Sequence, residues 1–324
     1  MINILVTSPC DEEYKKLLET AGGSSCSFTY ADSRFVSEDI LKNEIEKSEI
    51  IVGEPDVSAI KNAKNLKLLQ LTMAGTDKYT KDYEYPQNVV LTNASGAFGE
   101  VISQYVIGGI LNICHKFYKY RDNQHKNLWH DEGLEIGLEG KRVLIVGAGD
   151  IGSNIAKKLS VFNTKTIGIR RNINNRPPYF AEMHTLDELD EQLPLADVVV
   201  ACIPNSEYTY HLFDKHRFML MKNDAIFVNV GRGALVIQKD LIDVLKSGHL
   251  SGAVIDVAEP EPLPPESELW SVENLVITPH ISGKSFGHHK SITDKIYKIC
   301  AENISNYINN KPLINVIDFK KFRK

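Results

Sequence analysis

Residues 142–152, Arg-Val-Leu-Ile-Val-Gly-Ala-Gly-Asp-Ile-Gly, constrain the fold of this chain more than any other stretch. The unbroken apolar run from Val143 to Val146 has no polar face, which suits a strand buried on both sides, as in a parallel sheet. Gly147, Gly149 and Gly152 follow at once, and Ile155, Ala156 and Leu159 then recur at helical spacing. Strand, glycine turn and helix in that order suit a dinucleotide. The first glycine allows the tight turn, the second lets the backbone approach a pyrophosphate, and the third lets helix and strand pack closely. The helix start adds free N–H groups and a dipole that favours phosphate. Taken alone, the same loop also fits an α/β turn that binds nothing.

Around this unit the chain alternates short Ile- and Val-rich runs with helical segments, the pattern of a parallel sheet covered on both faces. Strands are expected at Asn3 to Val6, Glu49 to Val52, Leu66 to Leu71 and Val89 to Thr92, ending a first α/β unit near residue 93. Ile102, Val106, Ile110, Ile113 and Phe117 then predict one helix from Glu100 to Tyr120 with a continuous apolar face. The second series runs through Arg142 to Val146, Thr166 to Ile169, Asp197 to Ala201, Ala225 to Val230, Ala253 to Val257 and Leu275 to Thr278. These six candidates are enough for a doubly wound sheet. The Pro-rich run from Glu259 to Pro265 reads as an ordered loop, and a closing helix, roughly Ser285 to Asn309, can pack back on the first unit.

A length of 324 residues suits two domains. With 37 Lys and Arg against 42 Asp and Glu, the net charge of -5 gives no general drive toward nucleic acid or an anionic membrane. No start segment is apolar enough for a signal core or a span, so a cytoplasmic location is expected. The five cysteines stand singly, without metal-type spacing, and read as reduced residues; no metal is expected.

After the second strand of the nucleotide unit the chain reads Gly168-Ile-Arg170-Arg171. An acidic residue there, about twenty residues past the glycine turn, accepts from the adenosine ribose hydroxyls of NAD and repels a 2′-phosphate. Arginines pair with that phosphate instead, so NADP(H) is preferred over NAD(H). Two solvated arginines at a strand end are the plain alternative.

Three more segments end predicted strands: Val228-Asn-Val-Gly-Arg232-Gly, Asp256-Val-Ala-Glu259-Pro-Glu261-Pro and Thr278-Pro-His280-Ile-Ser-Gly283. With the glycine turn they make the chain resemble the D-isomer-specific 2-hydroxyacid dehydrogenase family, specifically its NADP-dependent glyoxylate/hydroxypyruvate reductase-like branch, over nearly its whole length. The resemblance implies two doubly wound parallel-sheet domains. A Rossmann domain, residues 99–284 with a dimerisation helix, is inserted in a flavodoxin-like substrate domain of residues 1–98 and 285–324. It implies Arg232, Glu261 and His280 as the catalytic set. It also implies cofactor contacts from Gly147, Gly149, Asp150, Ile151, Gly152, Arg170, Arg171, Ile203, Pro204, Val230, Gly231, Asp256 and Gly283. Substrate would be held by Ala74, Gly75, Arg232 and His280.

The chemistry of a 2-keto acid agrees with that set. Hydride transfer to the keto carbon builds negative charge on the carbonyl oxygen, which Arg232 can polarise and His280 can protonate, with Glu261 orienting the ring and favouring its charged form. Backbone N–H groups around Ala74 and Gly75 would grip the carboxylate, and the domains would close over cofactor and substrate. A homodimer is implied through the helix containing Gly108 and Gly109. Gln104 and Asn163 depart from the family pattern without touching this chemistry, and Glu261 speaks against the formate-oxidising branch, which carries Gln. A nucleotide-sensing or corepressor protein on the same fold is the alternative function, since that branch keeps the catalytic residues.

Overall fold

The computed structural model describes residues 1–61, 63–80, 85–174 and 176–321. Two compact units emerge, Met1–Ala97 with Lys284–Lys324, and Phe98–Gly283. Both are open, wholly parallel sheets.

The first unit contains β1 (Ile2–Val6), β2 (Cys26–Tyr30), β3 (Ile50–Val52), β4 (Leu68–Gln70) and β5 (Val90–Thr92), in the order β2-β1-β3-β4-β5. Leu5, Ile51, Leu69 and Leu91 pack into one core, because central parallel strands are covered on both faces. The helix Glu12–Gly22 starts at Asp11, whose side chain accepts from Tyr14 N–H at 3.3 Å. The helix Lys290–Ile308 joins this unit: the Tyr297 ring stacks on Tyr14 at 4.5 Å, and Asn303 donates to Gln70 Oε1 at 2.6 Å.

The second unit contains β6 (Arg142–Val146), β7 (Lys165–Ile169), β8 (Glu182–His184), β9 (Val198–Ala201), β10 (Ala225–Asn229), β11 (Leu250–Ile255) and β12 (Leu275–Ile277). Their order is β12-β11-β10-β9-β6-β7-β8. Counted from β6 this is the Rossmann order, extended by one strand, and its winding reverses between β6 and β9. In such sheets ligands bind outside the carboxyl ends of the strands at that reversal.

Three elements differ from the reading of the sequence. β2 and β8 were not expected; both lie at sheet edges, where Cys-Ser-Phe-Thr-Tyr alternates half-buried with exposed residues and Glu-Met-His is half-buried throughout. The helix expected from Glu100 to Tyr120 is broken. It runs Gly99–Cys114, the chain turns left-handed at Lys116 (φ 52°), and a second helix spans Phe117–His125. Ile102, Val106, Ile110 and Ile113 are buried, whereas Phe117, beyond the break, is exposed. Among the described residues no helix is long and apolar enough to cross a membrane.

Candidate active site

Gly147 follows β6 with φ 114°, and a Cβ there would lie 2.7 Å from Cys202 O, so the position is closed to other residues by conformation and by contact with the residue after β9. A Cβ on Gly152 would lie 2.4 Å from Gly147 O. Gly149, in contrast, faces open space: a Cβ there would meet nothing within 4 Å. The helix Asp150–Leu159 begins at Gly149 with no side-chain cap, leaving its first-turn N–H groups, those of Asp150, Ile151 and Gly152, to a ligand. This cradle fits a pyrophosphate. The Asp150 carboxylate itself is turned to the protein, accepting from Gly99 N–H at 3.1 Å and from Asn154.

Gly147 and Ala148 both donate to Ile169 O, at 3.0 and 2.9 Å, which ties the glycine turn to the end of β7. Arg170 is the next residue, half-buried, with its N–H on His184 O, and exposed Arg171 follows; the chain from Arg170 to Ile173 carries no Asp or Glu. After β9 come Cys202, Ile203 and Pro204. Burial pushes the Cys202 thiol up to about 12, and its Sγ sits 3.2 Å from Gly147 O, so it is a packing group here.

The loops after β10, β11 and β12 are laced together. Asn229, almost fully buried, closes the Val230-Gly231-Arg232 turn by accepting from Gly231 N–H at 3.0 Å and donating to Arg232 O at 2.9 Å. A Cβ on Gly233 would fall 2.0 Å from Ala258 O, so the Arg232 turn packs directly on the loop after β11. Ala258 N–H in turn donates to Glu261 Oε1 at 3.0 Å, and Glu261 Oε2 contacts His280 Nδ1 at 2.7 Å. Both side chains reach solvent, at 36% and 51% exposure, as groups that meet a substrate must.

His280 sits in a left-handed turn (φ 54°) built by Asp256. The Asp256 carbonyl accepts from His280 N–H at 2.8 Å. Its carboxylate, 1% exposed, accepts from Thr278 Oγ1 at 2.5 Å and from the N–H groups of Ile281 and Ser282, both at 2.9 Å. Because Thr278 gives its only proton to Asp256, Tyr105 OH must donate to Thr278 Oγ1, at 2.6 Å. Asp256, expected among cofactor contacts, therefore has both carboxylate oxygens engaged in holding the His280 turn. Gly283 packs on Ile102.

In the first unit, the turn after β4 is held through its carbonyls: Met73 O accepts from Ala94 N–H and Ala74 O from Asn93 Nδ2. Among the described residues no acceptor takes the N–H groups of Ala74 or Gly75.

A glycine cradle at the winding reversal and an Arg, Glu and His set on the neighbouring strand ends define a nicotinamide-linked oxidoreductase of the Rossmann class. The family model for the NAD binding domain of the D-isomer specific 2-hydroxyacid dehydrogenases matches residues 107–282, and the chain belongs to that family. A solved family protein from Aeromonas salmonicida is similar at 34% identity, with a TM-score of 0.85 over 98% of this chain and 99% of that one. A glyoxylate/hydroxypyruvate reductase of Arabidopsis thaliana is 28% identical over 78% of this chain and 76% of its own length. A family member from Xanthobacter autotrophicus, solved with NADPH, shares 25% identity and a TM-score of 0.81, covering 98% of each chain. Membership makes this protein an oxidoreductase of small 2-hydroxy or 2-keto acids that uses a nicotinamide dinucleotide.

Proposed function

We propose that the protein reduces a small 2-keto acid to the D-2-hydroxy acid, with NADPH preferred over NADH and His280 as proton donor. The observation that carries this reading is the 2.7 Å contact of His280 Nδ1 with Glu261 Oε2, on the sheet edge that also bears the glycine turn. A bound nicotinamide would supply the hydride. Arg232 polarises the substrate carbonyl and binds the neighbouring carboxylate. Glu261 occupies Nδ1 and so leaves Nε2 of His280 to give the proton to the carbonyl oxygen, or to take it in the oxidative direction.

Two observations support NADPH: the chain after β7 continues with Arg170 and Arg171 and no Asp or Glu through Ile173, and the Xanthobacter relative was solved with that cofactor. A homodimer and a cytoplasmic location belong to the same proposal. Leu128, Trp129 and Leu134 are 50%, 102% and 93% exposed, apolar side chains for a second copy to cover. Gly108 leaves open space for such an approach, whereas Gly109 packs within its own unit, a Cβ there lying 3.0 Å from Val254.

The test is an absorbance assay of glyoxylate, hydroxypyruvate, pyruvate, branched-chain and aryl keto acids with NADPH and NADH side by side, the products resolved by chirality. Turnover of at least one acid to its D-product, faster with NADPH, is expected. Consumption of neither cofactor with any of them overturns the proposal.

A further inference from the structure

Glu261 meets His280 from the run Glu259-Pro260-Glu261-Pro262-Leu263-Pro264-Pro265, whose prolines have no N–H to donate. Among the described residues neither backbone group of Glu261 is hydrogen-bonded, while Leu263 packs on the core of the unit. The peptide groups on either side of Glu261 are instead held by side chains from elsewhere in the same unit. Before it stands Gln238, the first residue of the helix Gln238–Lys246: its Nε2 donates to Glu259 O and its Oε1 accepts from Glu259 N–H at 3.4 Å. A carboxamide carries a donor and an acceptor side by side, so one residue satisfies both backbone groups of Glu259. Gln238 follows the Arg232 turn along the chain, and its carboxamide thus ties the loop after β10 to the loop after β11. Beyond Glu261, Trp270 Nε1 donates to Pro264 O at 2.9 Å, where Ser267 N–H joins it at 3.0 Å.

We infer that Gln238 and Trp270 are positioning residues: they fasten the run at Glu259 and at Pro264 and so keep the Glu261 carboxylate against the His280 ring. A proline-rich run lacks the ladder bonds that fix a strand or a helix, so its place depends on such anchors. The 2.7 Å contact of Glu261 with His280 weakens steeply once either partner drifts. The inference rests on the reading of Glu261 and His280 as the pair that handles the proton.

Gln238→Met keeps the length of the side chain and removes both bonds; Trp270→Phe keeps an aromatic ring and removes the N–H. Each is made in the wild type and in Glu261→Gln. The His280 ring, labelled with carbon-13 and assigned by the loss of its signals in His280→Ala, is titrated by NMR. A carboxylate at the ring favours its charged form, so Glu261→Gln should move the midpoint to lower pH, and each anchor variant should move it part of the way. In the Glu261→Gln background neither should move it further, because no carboxylate is left to place. With a 2-keto acid and NADPH, each should lower kcat by about two- to tenfold, as expected for a lost hydrogen bond, while KM for acid and cofactor stays within about twofold. Should one variant fail to fold, the other decides. An unmoved midpoint in a folded variant overturns the role of that anchor, and an equal shift with and without Glu261 overturns the route through Glu261. Midpoints that move as expected while no keto acid is reduced support the anchors and overturn the reaction; reduction with unmoved midpoints overturns the anchors alone.

Discussion

His280 is held from two sides, by Glu261 at its ring and by Asp256 at its backbone, and the two supports should fail differently. Removing the ring in His280→Ala should lower kcat by about 10²–10⁴-fold, the usual worth of a positioned proton donor, while NADPH affinity measured by fluorescence stays within a few-fold. Tyr105→Phe removes the outermost donor of the Tyr105, Thr278 and Asp256 chain, with an expected stability loss of about 0.5–1.5 kcal/mol and a lower kcat. Thr278→Val also deprives the buried Asp256 of a donor, so about 1–3 kcal/mol should be lost in denaturant unfolding; equal stability of the two variants would contradict the relay. The residues proposed to react stand out in the sequence because each lies in a short motif ending an apolar run. Their supports do not. Asn229, Thr278 and Tyr105 are ordinary polar residues on the page, and Tyr105 meets Thr278 only across 173 positions of chain.

Elements were legible where they carry a continuous apolar run. Such runs marked the central strands and also the edge strands β5 and β12, whereas β2 and β8 carry Ser, Thr, Glu and His in their place and give no such run. The helix break was hidden for a related reason: Phe117 continues the spacing of Ile110 and Ile113, yet the left-handed Lys116 lies between them. Edge strand β8 is fastened by charge. Arg142 at 2.8 Å, then Lys165 at 2.5 Å, hold the Glu182 carboxyl down at about 2, and His184 with the N–H and hydroxyl of Thr185 holds Glu188 at about 2, both below the ordinary 4.5. Carboxyls depressed in the folded state add stability above about pH 4.5, and that share is lost as pH falls toward 2. Thermal unfolding should therefore show Tm falling over that window, less steeply in Glu182→Gln. A variant whose Tm falls as steeply as the wild type would remove the network from the account. The groups are partly exposed, so the effect should be modest and salt-sensitive.

At the scale of the whole molecule, the chain leaves the first unit after Ala97 and returns at Lys284, so the nucleotide unit is an insertion with its own sheet and core. Its cofactor preference should move independently of the rest. A charge-assisted contact from Arg170 to the 2′-phosphate is worth about 1.5–3 kcal/mol, so Arg170→Asp should weaken NADPH by about tenfold to a hundredfold and leave NADH as good or better. KM values for both cofactors check this, and an insensitive ratio returns Arg170 to a solvated charge. Sedimentation should give a dimer that Trp129→Ala with Leu134→Ala weakens, and a monomeric wild type would contradict that part of the proposal. The central claim, proton donation by His280 to a substrate anchored by its carboxylate, meets its most direct test in one absorbance measurement. NADPH consumption is followed with a 2-keto acid and with its methyl ester, in the wild type and in His280→Ala. Rapid reduction of the acid, poor reduction of the ester and a loss of about 10²-fold or more in the variant are the expected results. Equal rates on acid and ester, or near-normal turnover without His280, would contradict it.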